Sequence, residues 1–197
     1  MKFDHEQLST TRGIKVNGPI LIKPKILRDG RGFFFESWNQ KDWKEILKQY
    51  NQVPQNFCQD NHSKSCKGVL RGLHFQKRPY PQAKWVRCIF GEIYDVAVDI
   101  RENSISYGQW VGTYLNSSNN HQFWIPEGFA HGFLTISQYA EVNYKTTNYW
   151  NKNYEESLLW DDSDISINWP LESLKNETLK ISDKDKNAKT FKSFKSS

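Results

Sequence analysis

The clearest pattern along the chain is a period of two between Glu92 and Arg101. Tyr94, Val96, Val98 and Ile100 fall on one face, and Ile93, Asp95, Ala97 and Asp99 on the other, as in a β-strand. From Pro54 onward, similar short runs separated by turns lie near Phe57–Asn61, Val69–Gln76, Lys84–Phe90, Gln109–Leu115, Gln122–Ile125, Phe133–Ile136 and Tyr139–Lys145. That many short strands without alternating helices predict an all-β sandwich or barrel. Upstream, Ile20–Leu27 is apolar but punctuated by Pro19 and Pro24, which suits an edge strand. Asp29-Gly30-Arg31-Gly32 reads as a turn, and Phe33–Trp38 as a strand. Asn39 can cap a helix running to about Tyr50, with Trp43, Ile46, Leu47 and Tyr50 on one face. Residues 1–13 are polar and read as loosely held. Residues 171–197 are polar and Lys-rich, with one strand-like piece at Thr178–Ile181. Neither an internal repeat nor a linker divides the chain. The expectation is one domain over 1–197, with a β core at about 20–170.

Composition sharpens this picture in three places. Aromatic residues make up 15% of the chain, with eight Trp, which favours β structure and aromatic-lined sites. The formal net charge of +5 suits a solvated surface or an anionic ligand such as a phosphate ester. A nucleic-acid partner is not expected, because no basic helix, zinc finger or aromatic–basic repeat is present. Cys58, Cys66 and Cys88 lack CxxC spacing and read as free thiols of a reducing compartment. With no apolar run at the N-terminus and none long enough to span a membrane, a cytoplasmic location without membrane contact is expected.

Candidate chemistry narrows by elimination to proton transfer. His5, His62, His74, His121 and His131 form no HxH or HxxxH pair, so no metal is expected. GxSxG, GxGxxG and GxxxxGK motifs are missing. Gly68–Gln76, reading GVLRGLHFQ, holds Arg71 and His74 in a segment that otherwise favours burial. Histidine titrates near neutrality and is the natural base at physiological pH. Lys84 opens the next strand and could lie beside His74, where a cation would stabilise a developing enolate. Tyr144 ends the Ala140–Val142–Tyr144 face and could point into the same interior. His131 lies in a glycine-flanked segment, where a turn-stabilising role and a ligand contact are equally consistent with the residues. Strict alternation would set Arg71 and His74 on opposite faces, unless Gly72 allows a bulge.

Taken together, the segments DGRGFFFESW, FCQDNHSKS, GVLRGLHFQ, QAKWVRCIFGEIYDVAVDIR, YGQWVG, FWIPEGFAHGFL, YKTTNYW, LLWDDSDISINWPL and ISDKD resemble the dTDP-4-dehydrorhamnose 3,5-epimerase family. The resemblance runs from about residue 25 to 186. It implies a cupin-type jelly-roll barrel with a few short peripheral helices, and an enzyme that needs neither metal nor cofactor. By motif position it implies His74 as general base, Asp185 as its dyad partner, Tyr144 as the opposed acid and Lys84 beside the C4 oxygen. Substrate contacts would fall on Arg31, Glu36, Gln59, Asp60, Asn61, Arg71, His131, Glu155 and Lys184. Trp150 stands where many family members carry a phenol that stacks on the thymine. The implied substrate is a dTDP-linked 4-keto-6-deoxy sugar, inverted at C3 and C5. A relative acting at only one of these carbons would use the same residues. A homodimer is implied, in which Arg31 and Glu36 act across the interface.

Overall fold

The structure is a computed structural model and describes residues 3–10 and 13–195. Its first elements are β1 (Phe3–Ser9), β2 (Lys15–Pro24), β3 (Leu27–Asp29), β4 (Gly32–Phe34) and helix α1 (Gln40–Gln49). There follow β5 (Gln59–Cys66), β6 (Leu70–Gln76), β7 (Lys84–Phe90), β8 (Glu92–Asp99), β9 (Trp110–Asn116), β10 (Gln122–Ile125), β11 (Phe129–Thr135), β12 (Tyr139–Thr146) and β13 (Glu155–Ser157). A 3-10 turn at Leu171–Leu174 precedes the short helices α2 (Asp183–Lys186) and α3 (Phe191–Lys195).

The strands form a six-stranded sheet ordered β1-β2-β10-β7-β12-β5 and a five-stranded sheet ordered β13-β6-β11-β8-β9. Consecutive strands from β5 to β8 alternate between the sheets, and β9 to β12 return beside them. That order is a cupin-type jelly roll. Apart from the buried Asp95 and Asp99, both faces of β8 are apolar because both are covered. Ile93 and Ala97 pack between the sheets with Val86, Phe123 and Val142. Val96, Val98 and Ile100 face outward, beneath Leu158, Ile165, Trp169, Leu174 and Phe191 of the C-terminal segment.

Helix α1 forms as its sequence predicts. The Asn39 side chain accepts from the backbone N–H groups of Lys41 and Asp42, and Trp43, Ile46 and Leu47 are buried. Its apolar face lies on the outside of the six-stranded sheet, against Ile20, Ile22, Trp85 and Trp124. The Trp43 ring meets Trp85 and Trp124 edge-on, with centroids 4.6 and 4.9 Å apart. Trp43→Ala is expected to destabilise the fold by about 3–5 kcal/mol, measured by urea denaturation.

Several boundaries depart from the sequence reading. Phe3–Ser9 is an ordered strand antiparallel to β2, although the stretch 1–13 reads as loose; residues 1, 2, 11 and 12 lie outside the described residues. This pairing makes β1 the outer strand, so β2 sits between β1 and β10 and is not an edge. Its prolines are tolerated because Pro19 falls in an irregular stretch between the Lys15 and Ile20 pairings, and Pro24 closes the strand. β4 stops at Phe34, short of Trp38, and its hairpin with β3 leaves Leu27, Phe33 and Phe34 exposed. β11 starts at Phe129, which puts His131 in a strand and not in a turn. Thr178–Ile181 contributes one isolated bridge, Lys180 to Val69. Among the described residues no helix is long and apolar enough to cross a membrane.

Candidate active site

The site begins with an irregularity in β6. His131 of β11 pairs with His74, and Phe133 with Arg71, so β6 carries one extra residue in that interval. Gly72 makes this possible. Its φ is +137°, and a Cβ there would meet the Gly132 Cα at 2.5 Å. The extra residue restores Arg71 and His74 to one side, where both line a recess with Lys184 and Asp185. The Arg71 guanidinium crosses to the other sheet, its Nε donating to Ser65 Oγ at 3.0 Å.

His74 and Asp185 form a pair, with Nε2 and Oδ1 2.7 Å apart. Asp185 is only 3% exposed, although it belongs to the Lys-rich tail. The Ser182 hydroxyl accepts from its backbone N–H, and the Gly72 N–H donates to Oδ2 at 3.3 Å. Burial would raise the Asp185 carboxyl, but the His74 bond and charge, with Gly72 and Ser182, outweigh it and hold the group below its ordinary value. An anionic Asp185 accepts from Nε2–H, leaving the His74 Nδ1 lone pair to receive a proton.

Lys84 is buried on β7 in the opposite sheet. Its ammonium donates toward the His74 carbonyl at 3.4 Å and toward His131 Nδ1 at 3.4 Å. His131 Nε2 lies 2.9 Å from Asp95 Oδ1. Burial lowers the His131 pKa, against the pull of Asp95. A neutral ring donating to Asp95 Oδ1 and accepting from Lys84 gives both imidazole nitrogens a partner. Burial also brings Lys84 down to about 8, opposed by the charges of Asp95 and Glu155. Tyr144 stands on β12, paired with Val86 of β7 and Asn61 of β5. Burial raises its phenol, partly offset by Arg71, so it is a protonated donor at neutral pH.

These groups meet in a cleft of about 360 Å³ whose walls include His74, Lys84, Tyr144, Gln59, Asn61, Trp150 and Glu155. His74 enters from the five-stranded sheet, and Lys84 and Tyr144 from the six-stranded one. The candidate base and acid therefore occupy facing walls. Gln59 Oε1 accepts from the Trp150 N–H at 2.9 Å, while its Nε2 donates to Asn61 Oδ1. Lys184 pairs with Glu155 at 2.5 Å, joining the tail to the rim.

Asp60, Arg31 and Glu36 do not line this cleft, the last two being residues expected to act in a partner's site. Asp60 points to the outer face of β5, where it pairs with Lys145 at 2.7 Å. Arg31 is on the exposed β3–β4 turn, paired with Asp29 at 2.6 Å. Glu36 borders a separate recess with Lys25, Leu27, Phe34 and Phe35. His131 stands behind Lys84 and not on the cleft wall. Sequence reasoning missed Asp95, visible as the one acid between Ile93 and Ala97 on an inward face. It also missed Gln76 and Gln82, which line the cleft at the end of GVLRGLHFQ and the start of QAKWVRCIF, where nothing in the residue type marks a role.

A family model described as dTDP-4-dehydrorhamnose 3,5-epimerase matches residues 13–193. The chain is 54% identical over 155 residues to the dTDP-4-dehydrorhamnose 3,5-epimerase of Salmonella typhimurium, covering 79% of this chain and 82% of that one. A crystal structure of dTDP-6-deoxy-D-glucose-3,5-epimerase from Legionella pneumophila, in complex with dTDP-4-keto-L-rhamnose, superposes with a TM-score of 0.84 at 43% identity, covering 95% of this chain and 93% of that one. The Mycobacterium tuberculosis epimerase superposes with a TM-score of 0.89 at 32% identity, covering 98% and 90%. The chain belongs to the dTDP-4-dehydrorhamnose 3,5-epimerase family.

Proposed function

We propose that the chain inverts C3 and C5 of dTDP-4-dehydro-6-deoxy-glucose, giving dTDP-4-dehydro-L-rhamnose for dTDP-rhamnose biosynthesis. The observation that carries this reading is the opposition of His74 and Tyr144 across the cleft, with the Lys84 ammonium reaching the His74 carbonyl. A hydrogen on carbon becomes acidic only when the resulting charge has somewhere to go. C3 and C5 both flank the C4 ketone, so one cation at the C4 oxygen serves both centres. His74 Nδ1 takes the proton from one face, and the electron pair moves to the C4 oxygen beside Lys84. The Tyr144 hydroxyl then returns a proton from the other face, and the configuration inverts. Asp185 holds the ring in orientation and stabilises the imidazolium in between. Trp150 offers a stacking face for the thymine, and Arg71 a guanidinium for the nucleotide side of the sugar.

A homodimer completes this reading. The β3–β4 hairpin exposes Leu27, Phe33 and Phe34, apolar surface that a second copy would cover, and it carries Arg31. Delivery of Arg31 and Glu36 to the partner's cleft would account for their distance from their own. The free cysteines Cys58, Cys66 and Cys88 suit a reducing, cytoplasmic setting. The test is incubation with dTDP-4-dehydro-6-deoxy-glucose and proton NMR of the product. Coupling constants showing inversion at both carbons are expected, and an unchanged sugar would overturn the proposal.

The Lys84 ammonium must stay charged to stabilise the enolate. With its pKa brought down to about 8, the protonated fraction falls as pH rises through that value. The kcat/KM profile is therefore expected to decline on its alkaline side with a midpoint near 8, and Lys84→Arg should move that limb upward, read from initial rates at low substrate across the pH range.

A further inference from the structure

Gln76 closes β6 and is 6% exposed, yet its amide is spent entirely on two loops. Nε2 donates to the Tyr80 carbonyl of the β6–β7 loop at 2.7 Å and to the Tyr149 carbonyl of the β12–β13 loop at 3.2 Å. Oε1 accepts from the Asn151 N–H at 2.6 Å. The two contacts on the second loop fall on the residues immediately before and after Trp150. The Trp150 side chain is 54% exposed, so core packing does not fix it, and its place follows from where its backbone is held. Neighbouring bonds tie the same loops together: Gln82 Nε2 to the Asn148 carbonyl at 2.8 Å, and Asn148 Nδ2 to the Pro81 carbonyl at 2.6 Å.

We propose that Gln76 is a positioning residue for the nucleotide end of the cleft, bracketing Trp150 at stacking height through Tyr149 and Asn151 while Gln59 holds the Trp150 N–H. The proposal rests on the reading that Trp150 stacks on the base. With both amide atoms engaged by the loops, Gln76 is assigned no direct contact with the base or the reacting carbons. Its effect is on binding shared by ground state and transition state, which raises KM and leaves kcat.

The test is a double-mutant cycle read by calorimetry with dTDP and by steady-state kinetics. Gln76→Leu is expected to weaken dTDP about tenfold, from the loss of three rim hydrogen bonds, with kcat reduced by less than about threefold. Gln76→Glu keeps the acceptor for Asn151 but turns a carboxylate toward two carbonyls, so it should weaken dTDP similarly, and it serves if Gln76→Leu fails to fold. In a Trp150→Ala background either change should cost almost nothing further. A full additional loss in that background, or a fall in kcat with dTDP affinity unchanged, overturns the positioning role. Wild-type dTDP affinity in Trp150→Ala alone instead removes the stacking reading on which it rests.

Discussion

Replacing His74 with Asn is expected to lower kcat by about 10²–10⁴-fold, and to stop exchange of the substrate hydrogens at both carbons together. The asparagine amide nitrogen falls near the position of Nδ1 and stops short of Asp185, which sits 2.7 Å from Nε2 of the native ring, but the carboxylate keeps the Gly72 N–H as a donor. Asp185 is thus not left as an unpartnered buried charge, and the fold should persist. What disappears is the lone pair of Nδ1, the atom assigned to receive the proton. Affinity for dTDP should change little, because Gln59 and Trp150 bond to each other and not to His74 or Asp185. If His74→Asn bound dTDP yet exchanged the substrate hydrogens at the wild-type rate, the base would have to be another group.

Tyr144→Phe separates two steps that His74→Asn removes together. The phenylalanine ring can keep its place against the inter-sheet core, which Tyr144 borders, so only the hydroxyl is lost. His74 can still form the enolate, and Lys84 can still stabilise it. The proton then has no donor on the far face, and returns from the imidazolium that took it. Inversion should therefore fall by about 10²–10⁴-fold while exchange with solvent survives. In D₂O the recovered sugar would carry deuterium with its original configuration. Equal loss of exchange and inversion would instead place Tyr144 in enolate formation.

The parts of this molecule that were legible in sequence are those whose faces differ in polarity. β8 showed its period of two because Asp95 and Asp99 interrupt one face, while Tyr94, Val96, Val98 and Ile100 keep the other apolar. Helix α1 was legible through its Asn39 cap and its spacing of Trp43, Ile46 and Leu47. β5 runs to Cys66, well beyond the apolar signal near Phe57. Its inward residues include Gln59 and Asn61, which serve a polar cleft, so the alternation that marks a strand is muted there. The extra residue in β6 could be posed as a question about Gly72 but not answered, since the answer depends on Gly132 of another strand. Asp185 illustrates the same limit. Its tail is polar in composition, and only the resemblance of ISDKD to a family motif drew attention to it. The tail is nevertheless anchored by Leu174, Ile181 and Phe191, which are scattered in sequence and gather only on the outer face of the five-stranded sheet. The proline argument failed at β2 because a polar N-terminal strand could pair with its free side.

In the proposed mechanism one base, one acid and one cation act at both carbons beside a single ketone. The most direct test of this mechanism is turnover of dTDP-4-dehydro-6-deoxy-glucose by the unmodified protein in D₂O, followed by NMR of the product. Deuterium at both C3 and C5, with both centres inverted, is the predicted result. Label at one carbon only, or inversion without label from solvent, would contradict it.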